Sequence, residues 1–406
     1  MADKKKHILI VSQYFYPEVF RINDISANLV ERGYKVTVVT GIPNYPLGKF
    51  FDGYGYFKKR RGSHQGVNVI RIPLIPRGRG SIGMALNYAS FVVSGFFWSM
   101  FTKVKADCVF IFQLSPATLA LPGVWYAKRR KVKCTMYVQD LWPDSVAEIT
   151  GISNATVIGA IDSMMQYIYR RCDAIFATSP SFVERIVQRG VNKEKVRFLP
   201  QYAEEFYARK ERRPLSDLEE SDTFRIVFTG NIGIAQGLEI LPEVAAALAS
   251  ESVYPEFVMI GDGRSRKELE DKITSYGVSE MFTFLGTKEP MQIPAYLALS
   301  DIAFLSFKKS DLFSMTIPAK MQSYMACGMP ILAVADGETR RIIEEAQCGL
   351  VCEFDRPEML AEYIKQCMNG EHDLALMREN AKAYSEKHFD KTEIMDMLER
   401  VLVNAE

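Results

Sequence analysis

Short apolar runs alternate with segments of helical periodicity along almost the whole chain of 406 residues, the pattern of a layered parallel α/β protein. In the first half these runs predict strands over 7–12, 35–40, 67–72, 107–112, 133–138, 174–178 and 195–199. In the second they predict strands over 225–229, 256–260, 282–285, 302–305, 330–334 and 349–352, followed by charged amphipathic helices over 355–404. Between the two series, residues 203–222 are charged and unpatterned and read as a linker.

Each half opens in the same way. HILIVSQYFYPE (7–18) leads into a helix over about 23–32 and then KVTVVTG. Halfway along, TFRIVFTGNIGIAQGLEIL (223–241) repeats the strand–turn–helix order, with a helical pattern opening near Gln236. Glycines at 230 and 233 let backbone approach a ligand closely, and the free N–H groups of a following helix favour an anion. Two such halves predict an α/β fold of two facing Rossmann-like domains with parallel sheets and a cleft between them. The expected boundaries are 1–202, the linker 203–222, 223–385, and a C-terminal helix over 386–406 that packs back towards the first domain.

One segment breaks the alternation. Residues 80–102 carry no charge and are long enough to cross a bilayer. The strands expected before and after it belong to one parallel sheet, which argues against a single crossing. An ordinary buried helix, a helix immersed in a membrane surface and a true span remain as readings. Apolar residues all round the helix favour burial. The cations nearby (Lys58, Lys59, Arg60, Arg61, Arg71, Arg77 and Arg79) suit anionic headgroups, and together with Ser81 to Phe101 they point to a membrane surface. By default such a charge run is only a solvated face.

Composition narrows the class. The net charge of +1 gives no reason to expect nucleic acid. Seven scattered cysteines, none in C-x-x-C, fit reduced thiols in a cytoplasmic protein. No metal-ligand spacing of His or Asp occurs, so no metal and no cofactor are expected. The N-terminus runs straight into a strand without a signal-peptide apolar region.

Candidate chemistry lies in SFKKSDLFSMTIPAKMQSYMACGMP (306–330). A loop feeds a short helix whose first turn accepts Pro318 and carries Lys320, a plausible diphosphate site. Lys320 is equally readable as a surface lysine. Asp140 and Asp144 flank Trp142 after the 133–138 strand, and Glu18 follows the first strand; polar residues at carboxyl strand ends favour ligand contact.

The order of Gly230 to Leu238, I-G-D-G (260–263), F-L-G-T (284–287), A-Y-L-A-L-S-D (295–301) and Y-M-A-C-G-M-P (324–330) resembles the donor half of family 4 retaining glycosyltransferases. Y-P-E (16–18), the stretch 27–40 and D-L-W-P-D (140–144) resemble their acceptor domain. The resemblance covers essentially the whole chain, and the order and spacing of the motifs are its specific part. It implies the GT-B fold, a nucleotide sugar (most simply UDP-linked) as donor, and a metal-independent front-face displacement without a protein nucleophile. The nearest subgroup is the O-antigen and capsule sugar transferases, including L-fucosamine transferases. This subgroup implies an undecaprenyl diphosphate-linked glycan acceptor and a cytoplasmic enzyme peripheral at the inner face of the membrane.

The resemblance also assigns residues. Gly230, Asn231, Gly233 and Gln236 fall at the diphosphate, and Gly286 with Thr287 at the base. Met315, Thr316 and Ser323 fall at and beside the positions of the family's paired glutamates, neither of which is present. The usual phosphate-binding arginine and lysine are replaced by Asn231 and Gln236, so Lys320 and Arg21 are the substitutes for the missing charge. Asp140, with Lys320, is the catalytic candidate; Glu18, Arg21, Trp142 and Asp144 are expected on the acceptor side. A GT-B epimerase resembling the UDP-GlcNAc 2-epimerases shares this architecture but needs acid and base groups. An inactive nucleotide-binding scaffold is the reading that the missing glutamates bring in.

Overall fold

The structure, a computed structural model, describes residues 6–78 and 80–403. Arg79 of the basic flank and residues 404–406 of the expected C-terminal helix lie outside the described residues. The chain divides into two compact units, Met1–Leu199 with Met395–Glu406, and Pro200–Ile394.

The first unit is built on an eight-stranded sheet. Its strands are β1 (His7–Val11), β2 (Lys35–Gly41), β3 (Arg61–His64), β4 (Val67–Ile72), β5 (Cys108–Gln113), β6 (Lys133–Val138), β7 (Ala174–Ala177) and β8 (Val196–Phe198), in the order β3-β4-β2-β1-β5-β6-β7-β8. Every neighbouring pair is parallel except β3 with β4. Strands covered on both faces read as continuous apolar runs, and Ile8 to Val11 and Val109 to Phe112 are fully buried. The edge strand β3, RGSH, has no such run and was not expected. It pairs back through the turn at Gln65 and Gly66, both at positive φ, as a two-residue hairpin turn requires.

Six helices accompany this sheet: α1 (Arg21–Glu31), α2 (Ser81–Phe101), α3 (Leu121–Arg130), α4 (Asp144–Thr150), α5 (Ala155–Tyr169) and α6 (Pro180–Gln188). Helix α2 buries a single stripe, Asn87, Phe91, Gly95 and Ser99, one residue per turn. At its centre Gly95 lies against α3, where an added Cβ would stand 2.3 Å from Pro122 Cγ. The burial expected from its all-round apolarity is not met: Ile82 and Phe101 are each 77% exposed and Phe97 56%. Among the described residues α2 is the one helix long and apolar enough to cross a membrane. It nevertheless links β4 and β5 of one sheet, which excludes a single crossing.

Two buried polar groups tie the loops at the carboxyl ends of β1 and β2. Glu18, 2% exposed, accepts the backbone N–H of Asn44 (2.8 Å) and Tyr45 (2.7 Å) on one oxygen and that of Phe15 (3.3 Å) on the other. Asn87 of α2 accepts from Gln13 Nε2 (2.7 Å) and donates to the Ile75 carbonyl (2.6 Å) and to Asn44 Oδ1 (3.3 Å). Burying either group without these partners would cost about 1–3 kcal/mol.

The second unit carries a six-stranded, all-parallel sheet. Its strands are β9 (Arg225–Thr229), β10 (Glu256–Ile260), β11 (Phe282–Gly286), β12 (Ile302–Ser306), β13 (Ile331–Val334) and β14 (Gly349–Cys352), in the order β11-β10-β9-β12-β13-β14. Its helices are α7 (Leu241–Ser250), α8 (Arg266–Ser275), α9 (Ile293–Ala298), α10 (Asp311–Ser314), α11 (Ala319–Ala326), α12 (Gly337–Ala346), α13 (Pro357–Met368) and α14 (Leu374–His388). The 203–222 segment belongs to this unit, where Asp217 pairs with Lys288 and accepts from the Tyr296 hydroxyl (2.9 Å). The final helix, α15 (Lys391–Val403), belongs from Met395 onward to the first unit. There Arg32 of α1 pairs with Asp396 and Glu399.

Gly95→Leu forces a side chain into Pro122 and lowers stability by about 1–3 kcal/mol in urea unfolding. Gly159→Ala on α5, where nothing lies within 4 Å of an added Cβ, stabilises by about 0.5–1 kcal/mol. Burial pushes the Glu18 carboxyl up from 4.5 to about 7, overriding its three backbone donors. The folded state then holds a proton that the unfolded chain has released. Stability falls as pH rises from about 4.5 through about 7 and is flat above. Glu18→Gln keeps the acceptor for Asn44 and Tyr45, and unfolding midpoints across that window should lose this slope.

Candidate functional site

The residues singled out in the second unit gather where β9 ends. Gly230, at φ +132°, donates its N–H to the Ile260 carbonyl at 2.9 Å, and Ile232 N–H bonds the Asp262 carbonyl at 2.9 Å. The loops after β9 and β10 are thus zipped together by backbone. A Cβ on Gly261 would stand 1.8 Å from Gly230 O, and one on Gly263 would stand 2.2 Å from Ile232 O. On the other side the Gln236 carbonyl accepts from Ser306 Oγ, and Lys308 N–H bonds the Ala235 carbonyl at 3.0 Å. The helix expected from Gln236 begins later. Two single 3₁₀ turns, Ile234–Gln236 and Leu238–Ile240, come first, because Gly237 adopts φ +59° and breaks the helical run.

Lys320, in the first turn of α11, reaches this loop. Its amino group donates to Gln236 Oε1, sits 4.1 Å from the centroid of the Phe228 ring, and lies 3.4 Å from where a Cβ of Gly230 would be. Tyr324, one turn further along α11, fixes the helix by accepting from Thr229 N–H (2.9 Å) and hydrogen-bonding to Thr229 Oγ1 (3.0 Å). Among the described residues no carboxylate bonds the lysine. Burial lowers its pKa from 10.5 to about 7. The arrangement is a cation site waiting for an anion: the amino group has one neutral oxygen as partner and takes on charge when a negative group arrives.

The other expected donor-side residues divide. Gly286, at φ +66°, ends β11 and accepts from Gly261 N–H at 2.8 Å, which puts it and exposed Thr287 one loop away from the Gly230 turn. The side chain of Asn231 folds over its own loop, with Nδ2 2.5 Å from a Cβ placed on Gly233. Met315 and Thr316 precede α11; Thr316 Oγ1 bonds the Leu312 carbonyl at 2.8 Å, and its own carbonyl accepts from Thr339 Oγ1 at 3.1 Å. Ser323 is buried, its hydroxyl 3.4 Å from the Ala319 carbonyl of its own helix. The sequence reading passed over Glu338, a buried carboxylate at the start of α12, bonded to Arg341 at 2.8 Å. Its signal was a polar residue shortly after a strand's carboxyl end, the rule already applied to Asp140.

In the first unit Asp140 and Trp142 come together around Ser115. Ser115 N–H donates to Asp140 Oδ2 at 2.7 Å, and Trp142 Nε1 donates to Ser115 Oγ at 3.0 Å. Burial raises the Asp140 pKa against the two bonds from Ser115. Asp144 does not join them. Its carboxylate is taken up by Arg185 (2.8 Å) and Arg189 (2.7 Å), which bolts the start of α4 to α6 and its C-terminal end. Glu18 serves as the loop clamp described above, and Arg21 begins α1.

Comparison with known proteins follows the same two units. Residues 19–201 match the glycosyl transferase 4-like domain family, and residues 210–384 the glycosyl transferases group 1 family. WcaI of Escherichia coli (strain K12), assigned to colanic acid biosynthesis as a glycosyl transferase, is 26% identical over 96% of this chain and 97% of its own length. The N-acetyl-alpha-D-glucosaminyl L-malate synthase of Bacillus anthracis is 19% identical over 74% of this chain and 83% of its own. Among solved structures, Anabaena Alr3699/HepE in complex with UDP superposes with a TM-score of 0.70 at 16% identity, covering 98% of this chain and 99% of that one. WaaG, a glycosyltransferase involved in lipopolysaccharide biosynthesis, gives 0.67 at 16% identity over 98% and 100%. With both units matched and both sheets Rossmann-like, the chain belongs to the family 4 glycosyltransferases of GT-B fold.

Proposed function

We propose that this chain transfers a sugar, with retention, from a UDP-sugar to a lipid-linked glycan during synthesis of a bacterial surface polysaccharide. The observation that carries the reading is the Gly230–Gln236–Lys320 cradle. It offers close backbone and, at the carboxyl end of the central strand, a lysine that no carboxylate bonds among the described residues, in a chain that resembles WcaI along 96% of its length. Binding of UDP by HepE supports a uridine donor. An N-acetylated amino-deoxyhexose such as N-acetyl-L-fucosamine is the proposed sugar.

In this reading the anomeric C–O bond to the diphosphate breaks while the acceptor oxygen bonds the same carbon on the same face. The acceptor's proton passes to a departing phosphate oxygen. The protein positions the two reactants and offsets the charge that grows on the diphosphate. Lys320 does the second task, and neither a metal nor a protein nucleophile is invoked. Glu338, bonded to Arg341, is the carboxylate that this reading sets against sugar or ribose hydroxyls in place of the two family glutamates. Asp140, Trp142 and Glu18 belong to the acceptor side. The uncharged α2 gives the enzyme its seat on the inner face of the cytoplasmic membrane, with Arg77 before it and Lys103 and Lys105 after it facing anionic headgroups. A helix of 21 residues is about 31 Å long, and cations at both ends suit one lying along the surface.

Thermal shift against UDP, GDP, ADP and dTDP, without metal, should single out UDP; a ligand at a hundred times its dissociation constant stabilises by about 2.7 kcal/mol. The lysine titrates at about 7 when free, and a bound diphosphate raises that value. Affinity by calorimetry should therefore fall as pH climbs from about 7, by up to about tenfold per unit. Lys320→Met should bind more weakly and show a flat profile. An unchanged profile in that variant would remove Lys320 from the donor site.

A further inference from the structure

The first unit holds a cation whose surroundings parallel those of Lys320 in the second. The Arg77 guanidinium lies 5.5 Å from the centre of the Tyr45 ring and 5.9 Å from that of Tyr88, and its Nη2 reaches Met84 Sδ at 3.2 Å. Among the described residues no carboxylate or other oxygen bonds this guanidinium. Two aromatic faces and a thioether hold the group and leave most of its N–H fork open. Such a fork takes two oxygens of a phosphate.

The backbone beneath it is fixed. Arg77 N–H donates to Asn44 Oδ1 at 3.0 Å, and Gly78 N–H to the Gly48 carbonyl at 2.9 Å. A Cβ on Gly83, in the first turn of α2, would stand 2.6 Å from the Arg77 carbonyl oxygen. The loops after β2 and β4 and the start of α2 therefore meet at Arg77, at the carboxyl end of the sheet. Helix α2 begins there without a side-chain cap, so the N–H groups of its first turn add partial positive charge. Tyr14, 2% exposed, stacks on Phe20 at 5.2 Å and meets Tyr45 at 5.6 Å. Its hydroxyl, beside Tyr88 and Arg77, completes no hydrogen bond among the described residues.

Apolar side chains flank the cation: Leu47 and Ile75 on the two loops and Ile82 and Leu86 on α2 are all exposed. A free phosphate has no use for them, whereas a diphosphate on a hydrocarbon chain engages both the open fork and the aliphatics. We infer that Arg77, with Tyr14, Tyr45, Tyr88 and the start of α2, forms the site for the diphosphate of the lipid-linked acceptor, whose hydrocarbon runs out over the exposed aliphatics. This rests on the lipid-linked acceptor proposed above. In that proposal Arg77 faces anionic headgroups in general; its open fork and apolar flank select one of them.

The test is calorimetric titration of the full chain with farnesyl diphosphate, in excess UDP so that the Lys320 site is filled. Farnesyl diphosphate should bind, and inorganic diphosphate much more weakly. Arg77→Met should weaken farnesyl diphosphate by about tenfold or more, and Arg77→Lys, which keeps the charge but loses the fork, by less. Circular dichroism checks that both variants fold. Co-sedimentation with vesicles of phosphatidylglycerol and phosphatidylcholine in equal parts should weaken by a smaller factor than farnesyl diphosphate binding does. Weakening of vesicle binding by as much or more returns Arg77 to the general membrane seat and overturns the site. Inorganic diphosphate bound as tightly as farnesyl diphosphate assigns the fork to a free anion and also overturns it. Farnesyl diphosphate binding that Arg77→Met leaves unchanged overturns the site while the lipid-linked acceptor stands; no binding at all overturns both. Failure of the donor reading shows separately, as the absence of a thermal shift with UDP.

Discussion

The candidate donor site depends on backbone meeting backbone at the ends of two adjacent strands. Gly230 and Gly261 face each other with no room for a single added carbon, and Gly263 repeats the contact at Ile232. Because those loops are locked by N–H to carbonyl bonds, the Gly230 turn is held open on its remaining side. There α11 brings Lys320. Tyr324 holds that helix to Thr229, so the lysine is placed by the same strand end that it serves. Preorganisation of this kind means that little has to move when a charged ligand arrives.

The cradle stands out for what its lysine lacks. A buried ammonium normally has a carboxylate beside it or gives up its proton. Here the partners are an amide oxygen and an aromatic face, and the proton is held only weakly near neutral pH. A structural ion pair would have neutralised the site. Its absence leaves the favourable charge interaction to an arriving anion, the role proposed for Lys320.

In the first unit the equivalent ordering is done by side chains. Glu18 gathers the loops after β1 and β2 by their N–H groups, and Asn87 brings α2 to both. The helix proposed to touch lipid is therefore bonded, through one buried amide, to the loops proposed to touch the acceptor. The stripe that seats α2 on α3 is narrow, with Gly95 allowing the close approach, and this leaves most of its apolar surface outward.

Much of this was legible in the chain. Short apolar runs marked thirteen of the strands, continuous in β1 and β5, where a strand covered on both faces has no polar side to alternate with, and broken by polar residues in β4 and β8; β3 was missed because RGSH pairs through its backbone at an edge. The order of the glycine and proline motifs carried the family and the fold. What only the tertiary structure decided was which polar residues meet. Lys320 and Gln236 are 84 positions apart, Glu18 spends one oxygen on Asn44 and Tyr45 and the other on Phe15, and Asp144 turns to Arg185 and Arg189 while Asp140 stays with Ser115. Whether α2 would be buried was also beyond its composition, since an apolar helix reads the same whether its neighbours cover it or leave it bare. Periodicity records how one element faces its surroundings; the partner of a given charge depends on how distant elements cross, and no local pattern encodes that.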